Sequence, residues 1–239
     1  MSVDIRFFIT GQGRSGTMWL ARLLDLDPDI KVFHEAGGRL DSNRFAGFHR
    51  GVNARKYLLG PRLARTEQVM ERWPGLPFAE VNSYLRYCVP ELREVYEVPV
   101  LGIVRDGRYT VRSMLARGIY QTSGRPPIRP LGGDILADWP GMKPFARTCW
   151  YWADAYRRLL EQIVMIFTLE RLNSDYEYFS GLCEMAGVSI PLEIWRKRAG
   201  QPTHEGIPRG TPLGFDSKEL AIFEALAGDV QRRFYPPGA

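Results

Sequence analysis

Residues 5–24 most constrain what this chain can fold into. An apolar run, IRFFIT (residues 5–10), stops at a glycine-rich loop, GQGRSG, and a helical pattern, TMWLARLL, follows. β-Branched and aromatic residues favour a strand, and glycines permit a tight turn. Apolar residues three and four positions apart favour a helix that buries one face. A strand, a glycine loop and a helix in this order are typical of α/β folds with a parallel sheet.

The glycine loop has the spacing of a phosphate-binding turn but lacks two residues of its common form. In G-x-x-x-x-G-K-[ST], the lysine contacts the terminal phosphates of a nucleotide and the hydroxyl contacts magnesium. Gly11 and Gly16 have this spacing, but Thr17 and Met18 stand in the last two places, and the cation comes earlier, at Arg14. The loop therefore predicts an anion site without the usual ATP and magnesium contacts. An ordinary tight turn between strand and helix is the structural alternative.

The alternation of strands and helices continues along the chain and predicts one α/β domain with a central parallel sheet flanked by helices. Further strands are expected at 30–34, 78–81, 98–104 and 163–172, and helices at 18–26, 61–73, 83–96, 109–118, 145–162, 175–187 and 217–234. Two segments interrupt the pattern: 36–60 has no clean period, and 118–144 is rich in glycine and proline. We expect both to be insertions that bind substrate.

Composition limits the class of protein. The 239 residues suffice for one well-buried domain. Hydrophobic residues make up 45% and charged residues 25% of the chain, as in ordinary soluble globular proteins. The 32 basic residues nearly balance the 27 acidic ones and form no dense run, so nucleic-acid binding is not expected.

The cysteines and the apolar runs predict the environment of the chain. Cys88, Cys149 and Cys183 lie far apart, with no C-x-x-C spacing, which predicts buried reduced thiols and no metal site. No apolar run approaches the roughly 18 residues of a membrane span, and the first residues do not resemble a signal peptide. We therefore expect a cytoplasmic protein.

A second anion site is predicted after the strand at 98–104. The sequence VRDGRYTVRSM places Arg105 at the end of this strand and Ser113 eight residues later, on the next helix. A guanidinium and a hydroxyl so placed can converge on a phosphate. The alternative is a surface ion pair between Arg105 and Asp106 beside an ordinary helical serine. Because the carboxyl ends of parallel strands share one edge of the sheet, two such sites predict a ligand with two separated phosphates.

Together, GRSGTMWL and VRDGRYTVRSM resemble the two nucleotide-binding signatures of the sulfotransferases. In that family the first signature grips the 5′-phosphosulfate of 3′-phosphoadenosine 5′-phosphosulfate (PAPS), and the second grips its 3′-phosphate, without a metal. The resemblance implies a fold like that of the P-loop nucleotide triphosphate hydrolases and a single sulfotransferase domain over residues 1–239. It also implies transfer of a sulfuryl group to a hydroxyl or amine of a small-molecule, lipid or carbohydrate acceptor, with release of adenosine 3′,5′-bisphosphate (PAP). The segment FTLERL and the last helix are similar to the corresponding parts of the family.

The resemblance also implies roles for particular residues. Arg14 stands where cytosolic members have a lysine that assists sulfuryl transfer, and Trp19 where a tryptophan lies against adenine. The implied cofactor-binding residues are Gly13, Arg14, Ser15, Gly16, Thr17, Met18 and Trp19 in the first signature and Arg105 and Ser113 in the second. Arg209 and Gly210 are the nearest counterparts of a C-terminal R-K-G contact that is not cleanly present in this sequence.

The general base that an acceptor hydroxyl needs is left open among three residues at strand ends. Glu35 is the first choice, because carboxylates at this point act as bases in several carbohydrate-type and bacterial members of the family. His34 precedes it, and Glu80 lies near the end of the next predicted strand. The structural alternatives are that Glu35 caps a turn and that Glu80 pairs with Arg86 or Arg105.

Two other functions and several acceptor contacts also stay open. A small-molecule kinase of the P-loop class would lack the lysine and hydroxyl noted above, and a non-catalytic nucleotide-binding protein would retain only the binding site. Tyr120 and Trp139 are candidate acceptor contacts, and Arg125 and Arg129 are candidates for binding an anionic acceptor. No dimerisation motif is recognisable, so the sequence does not predict the oligomeric state.

Overall fold

Five parallel strands form the centre of the molecule. The structure, a computed structural model, describes residues 3–121, 128–163, 165–201 and 214–237. The strands are β1 (Ile5–Gly11), β2 (Lys31–His34), β3 (Phe78–Val81), β4 (Val100–Val104) and β5 (Ile166–Thr168). They lie side by side in the order β2-β3-β1-β4-β5, and every neighbouring pair is parallel. The ends of β1 to β4 that carry the predicted site residues therefore share one edge of the sheet.

Helices connect the strands and follow the last one. They are α1 (Thr17–Leu24), α2 (Arg39–His49), α3 (Arg55–Tyr57), α4 (Leu63–Met70), α5 (Val89–Tyr96), α6 (Gly107–Leu115), α7 (Asp134–Asp138), α8 (Pro144–Gln162), α9 (Leu169–Ser174), α10 (Tyr176–Ala186), α11 (Leu192–Arg198) and α12 (Ser217–Phe234). A π-helical turn, Leu58–Arg62, joins α3 to α4, and short 3₁₀ turns lie at Ser83–Leu85 and Trp139–Gly141.

The sheet is covered on both faces, each by its own hydrophobic core. Successive side chains of β1 point to opposite faces, so Phe8 belongs to one core and Phe7 and Ile9 to the other. The first core includes Trp152 of α8 and Phe223 of α12, and α1 and α10 contribute to the second. Two covered faces explain why β4 is apolar throughout and why Phe7, Phe8 and Ile9 follow one another in β1 without alternation.

Most predicted elements are present, and the differences have local causes. β3 and α12 have the predicted bounds. The strand expected at 163–172 is only three residues long, because its second half is helix α9, in which apolar Leu169 and Leu172 lie three positions apart. The helix expected at 83–96 is divided, because Pro90 starts a new helix, α5, at its first turn. Helix α11 was not predicted.

Two further features concern the environment of the chain. The cysteines are buried and form no disulfides, as expected. Within the residues that the structure describes, no helix is both long and apolar enough to span a membrane.

Candidate functional site

The loop between β1 and α1 requires glycine at Gly16. Its φ is +90°, and a Cβ there would lie 2.6 Å from Leu169 Cδ1. The Ser15 side chain is fully buried and its Oγ donates to the Gln12 carbonyl oxygen at 2.5 Å, which fixes the loop from behind. The loop ends at the N-terminus of α1, which begins at Thr17. The backbone N–H groups and the dipole at a helix N-terminus attract anions.

The second loop, between β4 and α6, lies beside the first. Arg14 Nε donates to Ser113 Oγ at 2.9 Å, which joins the two predicted signatures across 99 residues of sequence. Arg105 stands at the end of β4 and lies over the ring of Tyr109, 5.5 Å from its centroid. The ion pair considered for Arg105 is not observed, because Asp106 instead caps α6 and pairs with Arg108 at 2.6 Å.

A first cavity of about 520 Å³ opens between these loops. It is lined by Gly13, Arg14, Gly16, Thr17, Met18, Trp19, His34, Glu35, Ser83, Tyr84, Arg105, Leu169, Asn173, Gly200 and Gln201. Most of the predicted cofactor-binding residues therefore meet in one place. Ser15 and Ser113 are buried behind the wall, and Arg209 and Gly210 lie outside the described residues.

Trp19 contributes a buried wall to this cavity. Its side chain is 6% exposed and belongs to the second hydrophobic core. Its Nε1 donates to the Arg198 carbonyl oxygen at 3.1 Å, which fixes the plane of the indole. The last residue of helix α11, which was not predicted from the sequence, thus holds Trp19 in place at the cavity.

Arg14 and Arg105 line the first cavity, and the charge of a third cation, Arg117, acts on Arg14. We call Arg14, Arg105 and Arg117 the cavity arginines. Burial and the repulsion of Arg117 and Arg105 lower the pKa of Arg14. In the described part of the chain, no carboxylate lies within 4 Å of Arg105 or Arg117. Positive charges that lower the pKa of a neighbouring guanidinium form a site that favours an anion.

Polar side chains from the start of α1 and from the ends of β2 and β3 form a network that lines the same cavity. Thr17 Oγ1 lies 3.1 Å from His34 Nε2, which lies 3.8 Å from Glu35 Oε1. The same Glu35 oxygen accepts a hydrogen bond from Ser83 Oγ at 2.6 Å. Glu35 has a left-handed backbone, with φ of 52°, and its side chain is 23% exposed. A partly exposed carboxylate in this position can accept a proton from a bound molecule.

Glu80 lies in a different environment from Glu35. It is fully buried, does not line the first cavity, and pairs with Arg62 rather than with Arg86 or Arg105. We call Asp41, Arg62 and Glu80 the buried cluster, because Arg62 also lies 3.1 Å from Asp41 and all three are at most 2% exposed. Burial, opposed by the charge of Arg62, raises the pKa of Glu80 to about 7.

The buried cluster supports the turn that carries Glu35. The Ala36 N–H donates to Glu80 Oε1 at 2.6 Å, immediately after the left-handed residue. A Cβ on Gly37 would lie 2.1 Å from Asp41 Oδ2, so the turn packs directly on the cluster. Glu80 thus contacts the backbone beside Glu35 and not the cavity.

A second cavity, of about 480 Å³, adjoins the first. It is lined by Gln12, Gly13, Arg14, Ser42, Asn43, Phe45, Ser83, Tyr84, Arg86, Met114, Arg117, Ile119 and Tyr151. Gly13, Arg14, Ser83 and Tyr84 line both cavities and so mark their junction. Ser42, Asn43 and Phe45 come from the 36–60 segment and Ile119 from the 118–144 segment.

Other candidate acceptor contacts lie away from this junction. The Tyr120 hydroxyl donates to the Ile128 carbonyl oxygen at 2.7 Å, and its ring packs on Trp139. Neither aromatic residue is among the described residues that line the cavities, and nor is Arg129. Arg125 lies outside the described residues.

Sequence reasoning did not assign a role to Ser83, although it lies at the junction. The sequence feature that could have indicated Ser83 is its position two residues after the predicted strand at 78–81. Over the described ranges, no group of three or more His, Cys, Asp and Glu side chains is placed to hold a metal ion.

Comparison with known proteins gives a result at the level of fold. No protein-family model matches the chain, and no curated protein sequence matches it. The mouse sulfotransferase SULT7A1, solved in complex with PAP, superimposes with a TM-score of 0.55 and 14% identity, over 99% of this chain and 91% of that chain. Sulfotransferase STF9 from Mycobacterium avium gives 0.53 and 10%, over 98% and 76%. The sulfotransferase domain from the curacin biosynthetic pathway gives 0.51 and 13%, over 95% and 98%.

These similarities confirm the predicted fold class. The chain is a single α/β domain with the P-loop-like fold of these sulfotransferases. At identities of 10–14%, a shared fold does not establish a shared activity, and an activity is inferred from the residues of the site.

Proposed function

We propose that the protein is a sulfotransferase that uses PAPS as its donor. The observation that carries this proposal is the 2.9 Å hydrogen bond from Arg14 to Ser113. It joins the two segments that resemble the nucleotide-binding signatures of sulfotransferases. Arg105 lines the same cavity and has no carboxylate partner among the described residues. The shared fold with a sulfotransferase that binds PAP supports the proposal.

The donor-binding residues follow from the positions of the two loops. The backbone N–H groups of residues 13–17 and the N-terminus of α1 would hold the 5′-phosphosulfate. Arg105 and Ser113 would hold the 3′-phosphate. For this, the Arg14 guanidinium would turn away from Ser113 toward the phosphosulfate, which frees the serine hydroxyl.

The remaining donor contacts rest on the cavity lining and on the resemblance. Met18 and Trp19 line the side of the first cavity proposed for adenine. Arg209 and Gly210 stay proposed contacts on the resemblance alone.

Two side chains would carry the chemistry. Bound PAPS supplies the sulfuryl group, whose transfer to an acceptor oxygen or nitrogen releases PAP. Arg14 would stabilise the negative charge that develops on the leaving phosphate, since a guanidinium does not give up its proton. Glu35 would take the proton of the acceptor.

Ser83 would connect Glu35 to the acceptor. It lines both cavities, whereas Glu35 lines the first, and its Oγ already donates to Glu35 Oε1. The acceptor proton can pass to Ser83 Oγ while the serine proton passes to Glu35. His34 would keep Thr17 and Glu35 in place, and Glu80, which does not line the cavity, is not proposed as the base.

The proposal is tested by the melting temperature of the protein with PAP. A ligand at 100 times its dissociation constant adds about 2.7 kcal/mol of stability, or roughly 5–10 °C for a domain of this size. We expect this shift in the wild type and in Arg233→Ala, which removes an exposed charge from α12, and a largely lost shift in Arg105→Ala. A shift with ATP and magnesium but none with PAP would contradict the proposal and favour the kinase.

Conversion of PAPS to PAP distinguishes a sulfotransferase from a non-catalytic nucleotide-binding protein. We expect PAPS to be converted to PAP in the presence of a panel of hydroxyl and amine acceptors. Binding of PAP without any turnover across the panel would favour the non-catalytic nucleotide-binding protein.

A further inference from the structure

Arg86 is a buried cation beneath the second cavity, and the proposed sulfuryl transfer does not use it. Its side chain is 2% exposed and is enclosed by the rings of Phe45, Tyr87 and Tyr151, whose centroids lie 4.3, 4.7 and 5.3 Å from its guanidinium carbon. It donates to the Tyr151 hydroxyl at 2.6 Å and to the Ser83 carbonyl oxygen. Its Nε has no hydrogen-bond partner among the described residues.

Arg86 forms no ion pair with a carboxylate within the described structure. No carboxylate lies within 4 Å of the Arg86 guanidinium. The buried Arg62, by contrast, contacts two carboxylates. Because taking a charge out of water costs several kcal/mol when no opposite charge is near, the Arg86 site gains from an anion placed close by.

Arg117 adds a second positive charge at the open side of this cavity. Its side chain is exposed and, like Arg86, has no ion-pair partner in the described part of the chain. None of the described residues that line the cavity is Asp or Glu. Walls of low dielectric focus the field of such charges into the cavity between them.

The other walls suit a compact apolar body. Phe45, Tyr84, Met114, Ile119 and Tyr151 line them. A volume of about 480 Å³ lies in the range of sites for small molecules. The nucleophile of a molecule bound here would reach the junction at Ser83 and Arg14.

We propose that the second cavity binds the acceptor, and that the acceptor is a small molecule with an apolar body and an anionic group such as a carboxylate. This inference rests on the proposed sulfotransferase function and names its substrate class. The anionic group pairs with Arg117 in the field of Arg86, the body packs on Phe45 and Tyr151, and the hydroxyl or amine points to Ser83.

The test is calorimetric titration of the protein saturated with PAP. The probes are pairs of a phenolic acid and its methyl ester, beginning with 4-hydroxyphenylacetate. In the wild type we expect the acid to bind about tenfold more tightly than the ester, since hydrogen bonds to charged groups are the stronger ones. The difference should fall as salt is added and should become smaller in Arg117→Gln, which keeps the charge of Arg86 but not that of Arg117. It should persist in Arg233→Gln, which removes an exposed charge outside both cavities.

The outcomes separate this inference from the proposed function. If PAP itself does not bind, the sulfotransferase proposal fails and this one with it. If PAP binds but the esters bind as tightly as the acids, if no acid in the panel binds, or if the preference is as large in Arg117→Gln as in the wild type, the proposed pairing of an anionic acceptor with Arg117 is overturned while the sulfotransferase proposal stands.

Discussion

Two groups of charged residues lie near the same edge of the sheet, and they are built in opposite ways. In the buried cluster one arginine contacts two carboxylates, and all three side chains are at most 2% exposed. Further hydrogen bonds come from the Tyr57 hydroxyl to Asp41 and from Arg62 to Thr66. Among the cavity arginines, the charges of Arg117 and Arg105 instead act against the charge of Arg14, and Arg14 and Arg105 line an open cavity.

The difference shows which charges serve the fold and which are available to a ligand. A buried charge is tolerated when opposite charges and hydrogen bonds surround it, and the buried cluster meets this condition within the chain. Burial and the charges of Arg117 and Arg105 lower the pKa of Arg14, so an added anion is favoured there. The buried cluster holds the turn before α2, and the cavity arginines would hold what binds beside it.

The largest expected effect comes from substituting two glutamates, Glu35 in the first cavity and Glu80 in the buried cluster. Glu35→Gln removes the proposed base, and we expect kcat to fall about 10²- to 10⁴-fold while the affinity for PAP is retained. Glu80→Gln should lower kcat much less, because Glu80 does not line the cavity and contacts the site only through the Ala36 N–H and the Asn82 side chain. Steady-state rates and PAP titrations of both variants check this, and a larger loss in Glu80→Gln would show that the base has been misplaced.

A second test compares the arginines of the two groups by the free energy of unfolding in urea. Arg62→Met leaves two buried carboxylates without their cation, and we expect a loss of about 3–5 kcal/mol. Arg105→Met removes one of three repelling cations, and we expect a change within about 0.5 kcal/mol. Equal losses in the two variants would mean that the cavity arginines also stabilise the fold.

Much of the fold could be predicted, because local signals agree with the tertiary structure. Phe7, Phe8 and Ile9 are consecutive apolar residues because both faces of β1 are covered there, and α12 begins at a capping box formed by Asp216 and Glu219. Helix α9 was missed, because it follows the buried strand β5 without a break and is only six residues long, with Leu169 and Leu172 as its apolar pair. Helix α2 lies in a segment without a clean period, since Asp41, inside it, is buried by its ion pair and not by apolar contacts.

Part of the site could be predicted, because the order of strands and loops along the chain indicates which residues share one edge of the sheet. Arg14, Glu35 and Arg105 follow strands whose parallel arrangement the sequence indicates, so their meeting at one edge is expected. The roles of Arg62 and Arg86 could not be inferred, because their environments are made by residues distant in sequence. Arg86, for example, is enclosed by Phe45 and Tyr151.

The smallest expected effect concerns the second carboxylate of the buried cluster. The pKa of Glu80 is raised from 4.5 to about 7, chiefly by burial. The folded protein therefore binds this proton more tightly than the unfolded chain does. The resulting stability is fully present below pH 4.5 and is lost as the pH rises through about 7.

Glu80→Gln should remove this pH dependence, because the amide is neutral at every pH. Between pH 4.5 and 8 we expect the unfolding free energy of the variant, relative to the wild type, to rise by on the order of 2 kcal/mol. Urea titrations across this range measure it, with the exposed Glu67→Gln on α4 as the matched control. Parallel curves for Glu80→Gln and the wild type would mean that Arg62 keeps both carboxylates of the cluster charged throughout, so that the cluster would carry a net negative charge just behind Glu35.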